Sequence, residues 1–262
     1  MICDIIKSVN EIEGECIMSN PIITRGFSQG EYINAEPMTI NGTVNKLFIM
    51  FVLLVVSFAV VWNQYALGFT DKVSMLTSVG FGLGFIMVLI ISFTRKAMNI
   101  FVPIYAFCEG IALGGFSVFL NASFPGIVSQ AVSATFFTLF ALLCAYKTGL
   151  IKVTEKFRST VIVATVGICL TYIVSLVLSL FGVHALSAAL MSNSTYGIAL
   201  SVVVCIVAAS NLILDFELIE NGAQRGYGKD MEWYGAFGLM VTLVWLYVEI
   251  LKLLAKLNSR NN

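Results

Sequence analysis

From about residue 45 onward the chain alternates long apolar runs with short polar breaks. Seven runs stand out, at residues 47–67, 74–94, 98–120, 127–146, 160–181, 196–218 and 233–254. A helix rises about 1.5 Å per residue, so some 20 residues cover the roughly 30 Å hydrocarbon core of a bilayer. Every run is long enough. Strands of a membrane barrel would be about ten residues long and alternate in polarity, and these runs do not alternate. Helices also satisfy their own backbone donors and acceptors, which lipid demands. The pattern predicts an all-α membrane protein, a seven-transmembrane-helix bundle over residues 46–257. A polar N-terminal segment, 1–45, precedes it and a short polar tail, 258–262, follows.

Composition strengthens this reading. The chain has 262 residues, 58% hydrophobic and 11% charged, with a mean hydropathy of +0.92. Soluble domains carry roughly 25% charged residues, so lipid must solvate most of this surface. Fifteen basic and fifteen acidic residues cancel, and no basic tract is dense enough to bind nucleic acid. The cysteines, Cys3, Cys16, Cys108, Cys144, Cys169 and Cys205, form no C-x-x-C pair, and four lie in apolar runs. They read as small hydrophobes rather than a disulfide framework. His184 is the only histidine, which excludes a His-rich metal site. No apolar segment follows a basic start, so no cleavable signal peptide is expected. Met18 offers a second start besides Met1, with 1–17 as an upstream extension.

Lysine and arginine near span ends set the expected orientation. Lys46, the Arg95–Lys96 pair, the group Lys147, Lys152, Lys156 and Arg158, and the pair Arg225 and Lys229 all fall on one side. The opposite loops hold only Lys72. The N-terminus is therefore expected to be cytoplasmic. Lys252, Lys256 and Arg260 break the rule, because a fully crossing seventh helix carries them outside. The alternative is a re-entrant seventh segment; a full span is favoured. Gly80, Gly82 and Gly84, and the G-x-x-x-G of Gly110 and Gly114, are expected to allow close helix approach. Trp62, Tyr65, Trp233 and Tyr234 are expected at the membrane interfaces.

Chemistry rests on acids within the apolar runs. Glu109 falls near the middle of the third run, where a charge costs about 2.5–3.5 kcal/mol on insertion scales. It reads either as a neutral group bonded to a neighbouring helix or as part of an ion path. Asp215 lies late in the sixth run, one turn after Asn211 and on the same face. Glu249 lies in the seventh, with Lys252 three residues later, so a local ion pair is the alternative there to a functional role. Two carboxylates in one low-dielectric site do not ionise together easily, whereas a nearby arginine favours the charged form. That competition is the physical ingredient of a pH-responsive latch.

Three stretches, VLIISFTRKA, NLILDFELIENG and LVWLYVEILKLLAKL, resemble the Bax inhibitor family, the transmembrane Bax-inhibitor-motif and YccA-like proteins. The resemblance spans residues 45–257 and is to a bacterial branch with a longer C-terminal region. It implies six helices around a central seventh, in the cell membrane. It also implies a pH-sensitive calcium leak, with an acid pair on the last two helices and an arginine latch on the second. Carried over, Asp215 and Glu249 are the acids and Arg95 is the latch. Both acids become candidate transient calcium contacts, calcium being cargo and not a cofactor. Glu109 and Asn211 remain candidate pore-lining or cation-contacting residues. Two departures bear on the spacing of the acids: the second is Glu rather than Asp, and their connection is longer.

The resemblance also admits a non-transporting regulator that binds a membrane quality-control protease or another membrane protein, through residues 1–45 and the loop 219–232. An intramembrane enzyme is not expected. The chain lacks H-E-x-x-H, and the paired motif of aspartyl membrane proteases is absent.

Overall fold

The computed structural model describes residues 36–94 and 97–261. Met18, Arg95 and Lys96 lie outside the described residues. Eight helices appear among those described: α1 (Ile40–Ala66), α2 (Thr70–Phe93), α3 (Met98–Ser123), α4 (Ile127–Lys147), α5 (Glu155–Leu180), α6 (Ala185–Met191), α7 (Thr195–Gln224) and α8 (Met231–Asn261). Seven are long and apolar enough to cross a membrane, so the chain is a multi-pass membrane protein.

Several helices begin before the apolar runs do, because polar caps start them. The Thr39 hydroxyl accepts from the Gly42 amide at 2.9 Å, Thr154 from Phe157 at 3.2 Å, and Ser194 from Gly197 at 3.2 Å. Each oxygen satisfies an amide that the helix itself leaves free. The short helix α6 was not legible in the sequence, where 182–195 reads as a loop.

The α3 helix lies between α1 and α2 along a ridge of small residues. A Cβ on Gly110 would overlap the Ser57 hydroxyl and the Leu54 carbonyl oxygen, and one on Gly114 would sit 3.1 Å from the Phe58 carbonyl oxygen. Gly80 faces the Ala112 amide at 2.8 Å by the same measure. The expected close approach is thus present at Gly110, Gly114 and Gly80. Gly82 is different: nothing lies within 4 Å of its Cβ position, so it does not serve helix packing.

The hub is α8, which packs on α7, α1, α4 and α3. Tyr234, Phe237, Met240, Leu246 and Leu251 along it are almost wholly buried. Tyr105 of α3 meets Phe237 edge-on at 5.0 Å, and the Ser117 and Tyr247 hydroxyls bond at 2.7 Å. Tyr234 therefore belongs to the core and not to an interfacial belt; it packs beside Phe237. The outer faces of α1, α2, α4 and α5 present exposed side chains such as Phe48, Phe85, Phe137 and Leu180, as lipid contact requires.

With 31 residues α8 runs unbroken for about 45 Å. It is long enough to cross a bilayer and has no break at which a re-entrant segment would turn back. Two ends of the bundle can be named from this. At the proximal end the start of α1 meets the α7–α8 turn: the Met38 amide donates to the Tyr227 carbonyl at 2.6 Å, Pro37 and Gly228 form a bridge, and Lys229 pairs with Glu36. The distal end holds α6, the start of α7 and the C-terminal third of α8.

Candidate functional site

Asp215 sits on the buried face of α7, with Ala208, Asn211, Leu212, Leu218 and Ile219. It is 2% exposed, and neither carboxylate oxygen has a hydrogen-bond partner among the described residues. The Thr242 hydroxyl of α8 faces it, but that hydroxyl donates to the Gly238 carbonyl at 3.2 Å. Buried polar atoms are nearly always bonded, which sets Asp215 apart from the other fully buried side chains among the described residues. Asn211, one turn away, is already engaged. Its amide donates to Thr165 of α5 at 2.8 Å and to the Val207 carbonyl at 2.9 Å.

Glu249 is equally buried but has partners at one oxygen. Its Oε1 accepts from the Tyr172 hydroxyl at 3.0 Å and from Lys252 at 2.6 Å. Lys252 also lies over the Tyr172 ring, 4.9 Å from its centroid. The local pair read from the three-residue spacing is therefore present.

The two acids do not share a site. The α7 and α8 helices run antiparallel, Asp215 faces Thr242, and Ser201 bonds Lys256. Both pairings belong to one register. Glu249 lies seven residues beyond Thr242, so about 10 Å of helix axis separates its level from that of Asp215. This register places Glu249 about two helical turns from Asp215 toward the distal end, and no contact joins the two carboxylates among the described residues.

Glu109 lies on a third surface. Its Oε2 is 3.3 Å from the Cβ position of Gly84 on α2, and it makes no hydrogen bond or ion pair among the described residues. Arg95, the expected latch, lies outside them.

Three polar clusters were not foreseen. At the proximal end the amide and hydroxyl of Thr39 donate to Glu232 Oε1 at 2.9 and 3.0 Å, and Lys46 pairs with Oε2. Arg158 of α5 reaches Glu217 of α7 at 2.8 Å and Glu155 at 3.0 Å. At the distal end Lys256 is buried in a cage of oxygens. Among the described residues, no three of His, Cys, Asp and Glu converge as metal ligands.

A family model described as Bax inhibitor 1 like matches residues 20–259. The chain belongs to that family. A search of the curated proteins found no match. In this Bax inhibitor 1 like protein the match takes in all seven spans and both acids, so the divergence of Asp215 and Glu249 lies inside the matched region.

Proposed function

We propose that the protein is a passive, proton-controlled cation leak, with calcium the expected cargo and Asp215 the controlling carboxylate. The observation that carries this is the pair of orphaned oxygens at the interface of α7 with the central helix. An ionised carboxylate without a partner in the hydrocarbon layer costs several kcal/mol. Water or a cation beside it removes that cost, and both reach it only if α7 and α8 part. A neutral carboxyl needs only one acceptor. Proton occupancy and opening are therefore linked, as in other two-state elements biased by one charge.

Calcium takes six to eight oxygens. Asp215 supplies at most two, so water supplies the rest and the contact is weak, as passage requires. The family resemblance supports the same cargo. We place the protein in the cell membrane with the N-terminus in the cytoplasm, on the lysine and arginine bias. Lys252, Lys256 and Arg260 count against that orientation, and the larger number of basic residues on the other side outweighs them.

The reading of a non-transporting regulator that docks on a membrane protease has less support. Part of its expected surface, at residues 227–229, is taken by the chain's own residues 36–38.

The test is calcium flux into liposomes holding the purified full chain, measured from acid to neutral pH. Wild type is expected to pass calcium in a pH-dependent way, and Asp215→Asn to lose that dependence. Absence of flux at every pH removes the leak and leaves the docking regulator. Flux with identical pH profiles in both proteins removes Asp215 from control.

A further inference from the structure

At the distal end Lys256 is 6% exposed, and its ammonium spends all three protons on fixed oxygens. It donates to the Leu190 carbonyl of α6 at 2.6 Å, to the Ser201 hydroxyl at 2.7 Å and to the Gly197 carbonyl at 3.1 Å, both of α7. No carboxylate pairs with it directly among the described residues. The site is an unusual one for a cation, because the first turn of α7 carries the positive end of its dipole. The backbone has been shaped to make it work. A Cβ on Gly197 would overlap the Ser192 carbonyl oxygen, so glycine lets the α6–α7 turn fold back and bring the Leu190 carbonyl to the ammonium.

One turn back along α8, Lys252 joins Glu249 and Tyr172 of α5. Between these two lysines lies a cavity of about 20 Å³, lined by Tyr172, Ser201, Glu249, Lys252 and Lys256. That is room for a single water molecule. Leu190, Met191, Leu200 and Val204 complete its wall, so the cavity is a mixed polar and apolar space on the α7–α8 seam near the distal surface.

We propose that Lys256 is a bolt: its ammonium, docked on oxygens of α6 and α7, holds the distal end of the α7–α8 seam closed to water, and the Tyr172–Glu249–Lys252 trio backs it. Lys256 is a positioning residue, since it touches no cargo. Closure itself follows from the cage alone; its consequence for ion passage rests on the leak proposed above.

Cys205 reports on the bolt. It lies on α7 within electrostatic reach of Glu249, Lys252 and Lys256 and is only partly buried. The full chain is prepared with Cys205 as its only cysteine, the others replaced by alanine. It is reconstituted in nanodiscs, where both faces are open, and labelled with a charged methanethiosulfonate. Hydrogen bonds to a charged group are strong enough that losing them raises the open fraction by at least about tenfold. Lys256→Met keeps the apolar stem and is expected to label faster by that factor; Ser201→Ala, which removes one acceptor and little bulk, by less. Labelling at the unmodified rate in both variants, each eluting as a folded monodisperse protein, overturns the bolt. Calcium flux through Lys256→Met is read separately. A rise in labelling with no flux keeps the bolt and counts against the leak.

Discussion

Gly110→Ala and Gly82→Ala make the same chemical change on two neighbouring spans, and the structure gives them opposite signs. At Gly110 the added methyl collides with the Ser57 hydroxyl and the Leu54 carbonyl oxygen, and stands 2.9 Å from the Leu54 carbonyl carbon. Ser57 can turn away, since its hydroxyl only bonds the carbonyls of Leu53 and Leu54 on its own helix. The Leu54 carbonyl is backbone and cannot. Relief requires α1 and α3 to separate by about 1 Å, a gap that forfeits a quarter to a half of each dispersion contact along the crossing. Overpacking of this kind costs about 1–3 kcal/mol, against a helix gain of about 0.5–1 kcal/mol for replacing glycine. The net expectation is a loss of about 1–2 kcal/mol. At Gly82 no atom lies within 4 Å, so only the gain of about 0.5–1 kcal/mol remains. Thermal unfolding in detergent, followed by circular dichroism, ranks the three proteins as Gly82→Ala above wild type above Gly110→Ala. A Gly110→Ala protein that melts at or above wild type, or a Gly82→Ala protein that falls as far, refutes the packing argument.

Further expectations follow from the polar clusters. Lys46→Met strands Glu232 in the proximal cluster, and breaking a buried pair of this kind costs about 3 kcal/mol; unchanged stability in the same melt would mean that the two Thr39 donors suffice. Asp215→Leu removes two unsatisfied buried oxygens, so the variant is expected to be about 1–3 kcal/mol more stable than wild type, and a loss of stability would show that the carboxylate has a partner. The Lys229 ammonium bonded to Glu36 holds that carboxyl below the usual carboxylate range, so whatever the pair contributes is present above that range and is lost as the pH falls through the lowered value. Both groups are exposed, and Lys229→Ala is expected to leave the melting temperature unchanged at neutral pH; a clear drop would mark the strap at residues 36–38 as structurally essential.

The sequence carried the seven spans well, because twenty apolar residues in a row have few other uses. It carried helix ends less well. Thr39, Thr154 and Ser194 start helices among polar residues, where hydropathy has no signal. Seven residues of α6 are too few to show a period. Spacing along one helix was readable, so Lys252 was found for Glu249 and Asn211 on the face of Asp215. Pairings between helices were not. Nothing in one sequence ties Lys46 to Glu232 or Arg158 to Glu217, which lie 186 and 59 positions apart. Lys256 did leave a trace: it falls seven residues after Glu249, on the same helical face, which marks it as buried rather than as part of a solvated tail. The separation of the two acids was invisible for the same reason, since it depends on the register between α7 and α8.

In the proposed leak a single carboxylate, Asp215, controls opening alone. Its most direct test is the full pH titration of calcium flux in liposomes for wild type, Asp215→Asn and Glu249→Gln. With Asp215 as the one controlling proton site, and Glu249 held by Lys252 about 10 Å farther along the helix axis, wild-type flux should follow a one-proton curve. Glu249→Gln should keep its midpoint and Asp215→Asn should flatten it. A steeper two-proton curve, or a midpoint that moves as far with Glu249→Gln as with Asp215→Asn, would contradict the account and restore the coupled pair.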